Sequence, residues 1–363
     1  MTIAAVDAFH LQVAADLPSP AAGAPSLPHS LPIHLVRLTC DDGATAWGEA
    51  RCGSAGALDD AIELLAPILL DADPLDRGAL WERMVDRLSG LKDPLEGGAG
   101  ALSALDIALW DAAGRALGLP VWRILGGRRM ARLDAYATCT CSGQPEAAAR
   151  EAREMIAAGL HALKITLGRG LEEDTAMLEA VRAAVGPQVP LLVDANQGCE
   201  NRDEAMALGG AADRAEALWY EEPLPQDDWA DHVALRHSLN TPIAAGRGLR
   251  SPGAFLQAFD RGALDIATPD VRLCGGITGL LKIAELARWF NVQVSPHNAP
   301  SQIATIASSH AAVTLRNCLI SEANLTGSRA SEGLLEGPVQ LEDGFITVPD
   351  GPGLGITLSE EFV

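Results

Sequence analysis

Six charged residues stand just past the ends of short apolar runs at near-even intervals. They are Lys164, Asp194, Glu221, Arg247, Asp270 and His297, separated by 30, 27, 26, 23 and 27 residues. A parallel βα unit takes about that length, so the six fall at the same end of consecutive strands, where a (β/α)8 barrel carries its active site. Asp194 and Glu221 are hard oxygen donors, and a third carboxylate would complete a site for a divalent cation. Arg247 stands in that third place with the opposite sign. His297, with Asp270 one strand earlier, reads as a general base oriented by a carboxylate. Lys164 is one of three lysines against 24 arginines, which points to a need for a compact ammonium on that strand.

The elements that must position these residues are legible as a rhythm. Residues 133–138, 162–165, 190–193, 217–220, 242–245, 263–267, 292–295 and 318–320 read as eight short buried strands. Between them lie stretches with apolar residues at helical spacing, such as Pro145 to Gly159 and Glu172 to Val185. A doubly wound open sheet shares this alternation, but it would not place so many strand-end charges around one axis. The expected architecture is a (β/α)8 barrel over residues 126–329, an α+β capping domain over residues 1–125, and a tail, residues 330–363, packing back on the cap. Residues 17–28 are rich in Pro, Ala and Gly, and such a segment suits a lid over the barrel mouth.

Composition narrows the partners. With 48 acidic against 27 basic residues the formal net charge is −21, which disfavours nucleic acid and anionic membranes. No apolar run reaches the roughly 18 residues that a membrane span needs, and residues 1–7 lack a basic signal-peptide start, so a cytoplasmic protein is expected. The seven cysteines are scattered and odd in number, which fits a reducing compartment and no disulfide framework. Cys139 and Cys141 form a lone Cys-x-Cys whose plainest role is packing.

Three longer stretches carry a family resemblance. Ala101 to Asp111, followed by Leu117-Gly118-Leu119-Pro120-Val121 and Leu125-Gly126-Gly127, is one. Val193-Asp194-Ala195-Asn196 with Trp219-Tyr220-Glu221-Glu222-Pro223 is the second, and Pro269-Asp270 with Ser295-Pro296-His297 the third. Together they resemble the enolase superfamily, in its mandelate racemase and muconate lactonizing branch. The resemblance implies removal of a proton next to a carboxylate. It also implies Mg²⁺ held by three barrel carboxylates, an ene-diolate stabilised by that cation, and a Lys or His base. Asp194 and Glu221 match the first two metal ligands; Lys164, Asn196 and Glu322 match groups that contact substrate. A homo-oligomer acting on a small-molecule carboxylate is the family expectation.

Two positions depart from that pattern. In Gly159 to Gly168, Lys164 matches the earlier lysine of the branch's Lys-x-Lys, and Thr166 stands where the later, basic one belongs. In Ala245-Gly246-Arg247-Gly248, Arg247 replaces the third carboxylate. Two carboxylates with one guanidinium carry the same formal charge as three carboxylates with Mg²⁺. A Mg²⁺ entering beside Arg247 at about 4–5 Å would meet a repulsion of roughly 6–8 kcal/mol at an effective dielectric near 20. Magnesium binding is therefore expected to be weak or absent, with Arg247 bonded to both Asp194 and Glu221. The sequence points to a lyase or isomerase that dehydrates or isomerises an α-hydroxy or sugar acid with His297 as base, Asp270 behind it, and Lys164 and Arg247 on the substrate. The alternative is a metal-free carboxylate-binding pseudoenzyme.

Overall fold

The computed structural model describes residues 1–15, 29–91, 95–139, 143–226, 228–298, 302–323, 333–337, 339 and 341–359. The expected lid, residues 17–28, and Cys141 lie outside the described residues.

The chain opens with an antiparallel sheet, in the order β1 (Ile3–Ala15), β2 (His29–Cys40), β3 (Thr45–Ala50). Helices α1 (Ala55–Leu65), α2 (Arg77–Ser89), α3 (Gly98–Leu117) and α4 (Val121–Ile124) follow. Small residues let α3 lie directly on β3. A side chain at Gly48 would sit 1.9 Å from the carbonyl oxygen of Ala104, so only glycine permits that approach.

The barrel strands are β4 (Leu133–Cys139), β5 (Ala162–Thr166), β6 (Leu191–Asp194), β7 (Trp219–Glu221), β8 (Ile243–Ala245), β9 (Ile266–Ala267), β10 (Gln293–Val294) and β11 (Ser321–Glu322). They alternate with helices α5 (Pro145–Ala157), α6 (Leu171–Val185), α7 (Arg202–Arg214), α8 (Trp229–Ser238), α9 (Pro252–Asp260), α10 (Gly276–Trp289) and α11 (Gln302–Ala312). Neighbouring strands from β4 to β10 pair in parallel. The ring closes through a bridge between Val294 and Cys318 and through the parallel pairing of β11 with β4. The eighth strand falls slightly later than residues 318–320 suggested, because Ser321 and Glu322 are what align with Ala135 and Tyr136.

Strand alternation explains why the charges point inward. Tyr136, Ala162, Leu192, Trp219 and Ile320 form one buried layer inside the barrel. Two residues further along each strand, on the same face, come Thr138, Lys164, Asp194, Glu221 and Glu322. The apolar layer is the floor on which the polar layer rests, and it includes an edge-on Tyr136–Trp219 pair at 5.4 Å.

The joint between cap and barrel contains polar contacts made by the buried Ser103 and Asp106. Gly275 opens α10 without a side-chain cap, and α3 supplies one from across the interface. Asp106 accepts from the Thr278 backbone N–H at 2.8 Å, and Ser103 accepts from the Gly275 N–H at 2.9 Å. Asp106 can approach because Gly276 has no side chain, which would lie 2.4 Å from its carboxylate. The motif from Ala101 to Asp111 is thus a docking face for α10. The tail divides its contacts. A hairpin of β12 (Leu341–Glu342) and β13 (Phe345–Ile346) pairs antiparallel with β4, whereas Leu354 and Ile356 bond to Asp111 and Arg115 of α3. Among the described residues no helix is long and apolar enough to cross a membrane.

Candidate active site

The polar layer is a closed circuit of contacts. Lys164 Nζ lies 3.2 Å from Glu322, 3.5 Å from Glu221 and 3.8 Å from Asp194. The strand register sets Asp194 beside Glu221 and opposite Thr166, two residues beyond Lys164 on the same face of β5, and the lysine side chain reaches up to them. Lys164 is buried, which disfavours its charge. The carboxylates of Glu221, Glu322 and Asp194 outweigh that, so its pKa lies well above the ordinary lysine value. Glu221 shows the converse: burial pushes its pKa up to about 7 despite Lys164, with Asp194 adding to the rise. One of its oxygens accepts from Trp219 Nε1 at 3.2 Å, while Oε1 is buried with no hydrogen-bond partner among the described residues. Glu322 is buried too, but Lys164 and His297 hold its pKa below the usual value. It also accepts from Thr138 at 2.9 Å and from the Asn298 N–H at 2.9 Å.

Arg247 departs from the sequence expectation. Its guanidinium bonds Asp194 at 3.0 Å, Asn196 Oδ1 at 2.6 Å and Glu222 at 2.9 Å; Glu221 is not among its hydrogen-bond partners. Strand alternation would turn Glu222 away from the barrel axis. Its backbone leaves the strand with φ of 41°, in the left-handed region, and this brings the carboxylate round to Arg247. Gln197 and Gln226 donate to the same carboxylate, as does the Arg247 backbone N–H. Glu222, whose expected role was structural, is thus one of three side chains that hold Arg247. Burial raises its pKa, but Arg247 and the two glutamines bring it below the ordinary value.

On the other side of the mouth, Asp270 and His297 are bridge partners, with Nδ1 of His297 3.5 Å from Asp270 Oδ2. Nε2 of His297 faces Glu322 at 3.9 Å. Two arginines that sequence reasoning did not single out complete this side. Arg272 grips both Asp270 oxygens at 2.8 and 3.0 Å and reaches Glu49 at 3.2 Å. Arg51, from the cap, donates to Asp270 at 3.2 Å and to the Arg247 carbonyl at 2.9 Å. Burial alone would raise the Asp270 pKa, yet Arg272 holds it far below the usual carboxylate range. Arg51 and Arg272 lie 221 residues apart in the chain, and no local pattern announces their meeting.

Comparison with known proteins places this geometry. Residues 147–362 match the family model described as enolase C-terminal domain-like, and residues 5–126 match the mandelate racemase / muconate lactonizing enzyme N-terminal domain. The chain is 33% identical to a D-galactarolactone cycloisomerase of Agrobacterium fabrum, over 90% of this chain and 89% of that protein. It is 29% identical to a D-xylonate dehydratase of Haloferax volcanii, over 91% and 84%. Among solved structures, the 3,6-anhydro-D-galactonate cycloisomerase from Zobellia galactanivorans superposes with a TM-score of 0.88 at 30% identity, covering 99% of this chain and 98% of that one.

Proposed function

Because the chain belongs to the mandelate racemase / muconate lactonizing enzyme family of the enolase superfamily, we propose that it removes the proton next to the carboxylate of a sugar acid, with His297 as the base. The relatives named above are cycloisomerases and a dehydratase of sugar acids and their lactones, and the present reading extends that substrate class to this chain. The observation that carries it is that Lys164 and His297 meet at one carboxylate, Glu322, from opposite sides of the barrel mouth. Thr166 supplies no basic group, and Lys164 on the same strand is held in its charged form by Glu221, Glu322 and Asp194, so neither serves as a second base. A single base suits dehydration or one-base isomerisation, in which the nitrogen that takes the proton can return it to a leaving hydroxyl on the same face. Two-base racemisation would need a partner that Thr166 cannot be.

The residues do not fit the Mg²⁺ that the family implies. Asp194, the first expected ligand, is committed to the Arg247 guanidinium at 3.0 Å. Among the described residues no group of three His, Cys, Asp or Glu side chains is arranged to hold a metal ion. Positive charge at the substrate carboxylate is then the task of Lys164 and Arg247, and Asn196 holds the far side of that guanidinium. A second reading is a carboxylate-binding protein without turnover. It is favoured by the full engagement of Arg247 with Asp194, Asn196 and Glu222.

Incubation with a panel of sugar acids in deuterated water tests the first reading. Deuterium exchange or dehydration should fall by about 10²–10⁴-fold in His297→Asn. Exchange that survives this change overturns the base assignment, and carboxylate binding with no exchange for any acid of the panel favours the second reading. Calorimetric titration with Mg²⁺ tests the cation assignment. The unmodified protein should bind it weakly and Arg247→Glu should bind it tightly; tight binding by the unmodified protein refutes the replacement.

A further inference from the structure

The Asp270 carboxylate has about four lone-pair sites, and four donors fill them. Oδ1 accepts from the Arg272 backbone N–H at 3.0 Å and from its Nε at 3.0 Å. Oδ2 accepts from Arg272 Nη2 at 2.8 Å and from Arg51 Nη1 at 3.2 Å. His297 comes fifth. Its Nδ1 is buried and stands 3.5 Å from Oδ2, at the long limit of a hydrogen bond, and among the described residues it has no better partner. A buried ring nitrogen so weakly bonded is costly, and in this site the acceptor it needs is next to it but occupied.

The two arginines are not equally fixed. Arg272 is buried, chelates both oxygens and is tied to Glu49 as well. Arg51 makes the longest of the four bonds, and its side chain is 42% exposed at the cap side of the mouth. We infer that Arg51 is a positioning residue that competes with His297 for the last acceptor site on Asp270, so that withdrawing Arg51 closes the Asp270–His297 hydrogen bond. An anionic group of a bound substrate, arriving beside an exposed guanidinium, is the natural agent of withdrawal. Closure fixes the proton on Nδ1 and leaves the Nε2 lone pair as the proton acceptor. The other charged groups around the ring are Glu322 at Nε2, Lys164 bonded to Glu322, and Glu221, none of which competes for Nδ1.

This inference rests on His297 being the base, but its test needs no turnover and so fails separately. Protein labelled with ¹⁵N-histidine is examined by ¹H–¹⁵N NMR for the strongly deshielded, slowly exchanging Nδ1–H proton that marks an imidazole bonded to a carboxylate. The unliganded wild type should lack it. Arg51→Ala and Arg51→Gln should both gain it, and Arg51→Ala combined with Asp270→Asn should lose it again. Unchanged thermal unfolding of the single variants would show that the half-exposed arginine was not needed for folding. A deshielded His297 proton already present in the wild type, or absent from both Arg51 variants, overturns the competition.

Discussion

Two buried aspartates, Asp106 in the seam between cap and barrel and Asp270 at the barrel mouth, have no exposed surface and opposite fates. Asp106 is hydrogen-bonded by neutral donors, the Thr278 N–H at 2.8 Å and the Thr278 hydroxyl at 2.6 Å, and Arg77 acts on it only through its charge, a smaller effect than burial. Burial dominates there and lifts its pKa to about 7. Asp270 has the same burial, but the guanidinium of Arg272 drives its pKa far down. Hydrogen bonds from neutral groups soften the cost of burying a carboxylate, whereas a chelating guanidinium reverses it. The seam therefore tolerates a neutral acid and uses it as a helix cap. The mouth keeps a permanent anion beside a histidine.

The comparison can be broken most forcefully at Arg272. Arg272→Met leaves Asp270 and Glu49 without their shared buried cation and should cost about 3–5 kcal/mol of folding stability at neutral pH, measured by urea denaturation. Asp270 has a depressed folded pKa, so its contribution in the wild type is present above about pH 4 and is lost as pH falls through the folded value. In the variant the buried Asp270 has lost its main cation and takes up a proton more readily, so the gap between the two proteins should narrow progressively as pH falls from neutrality. A gap independent of pH would mean that Arg272 acts through packing and not through the charge of Asp270.

A smaller effect is expected at Asp106. Its folded pKa is raised, so the folded chain holds a proton that the unfolded chain has released. The stability it contributes is complete below about pH 4 and is lost as pH rises through about 7. Asp106→Asn resembles the protonated acid, since the amide can accept from the Thr278 N–H and donate to its hydroxyl oxygen. It should lie within about 1 kcal/mol of the wild type at the acid end of the range and remove the decline with rising pH, so that the variant is the more stable of the two by pH 7. Denaturation midpoints between pH 5 and 8.5 check this; a large loss at every pH would show that the seam requires the anion.

The barrel and much of its site were legible because they depend on local regularities. The spacing of apolar runs gave the strands, and the charges at their ends gave Lys164, Asp194, Glu221, Asp270 and His297 a common level. Glu322, matched only through the family resemblance, lies 3.2 Å from Lys164, since β11 pairs with β4 at that residue. Glu222 was not legible as part of the site. Alternation points it outward, and only a left-handed backbone, with two glutamines and Arg247 around it, brings it in.

Periodicity, a property of neighbours in the chain, is enough to show which residue types stand at the strand ends, including Arg247 in place of a carboxylate and Thr166 in place of a lysine. Tertiary contacts alone settle how charges are shared among them: that Arg247 turns to Asp194 and Glu222, and that Arg51 crosses from the cap to Asp270. Charge interactions depend on distance and burial, and both are set by contacts between segments far apart in sequence, so no reading of one strand at a time contains them.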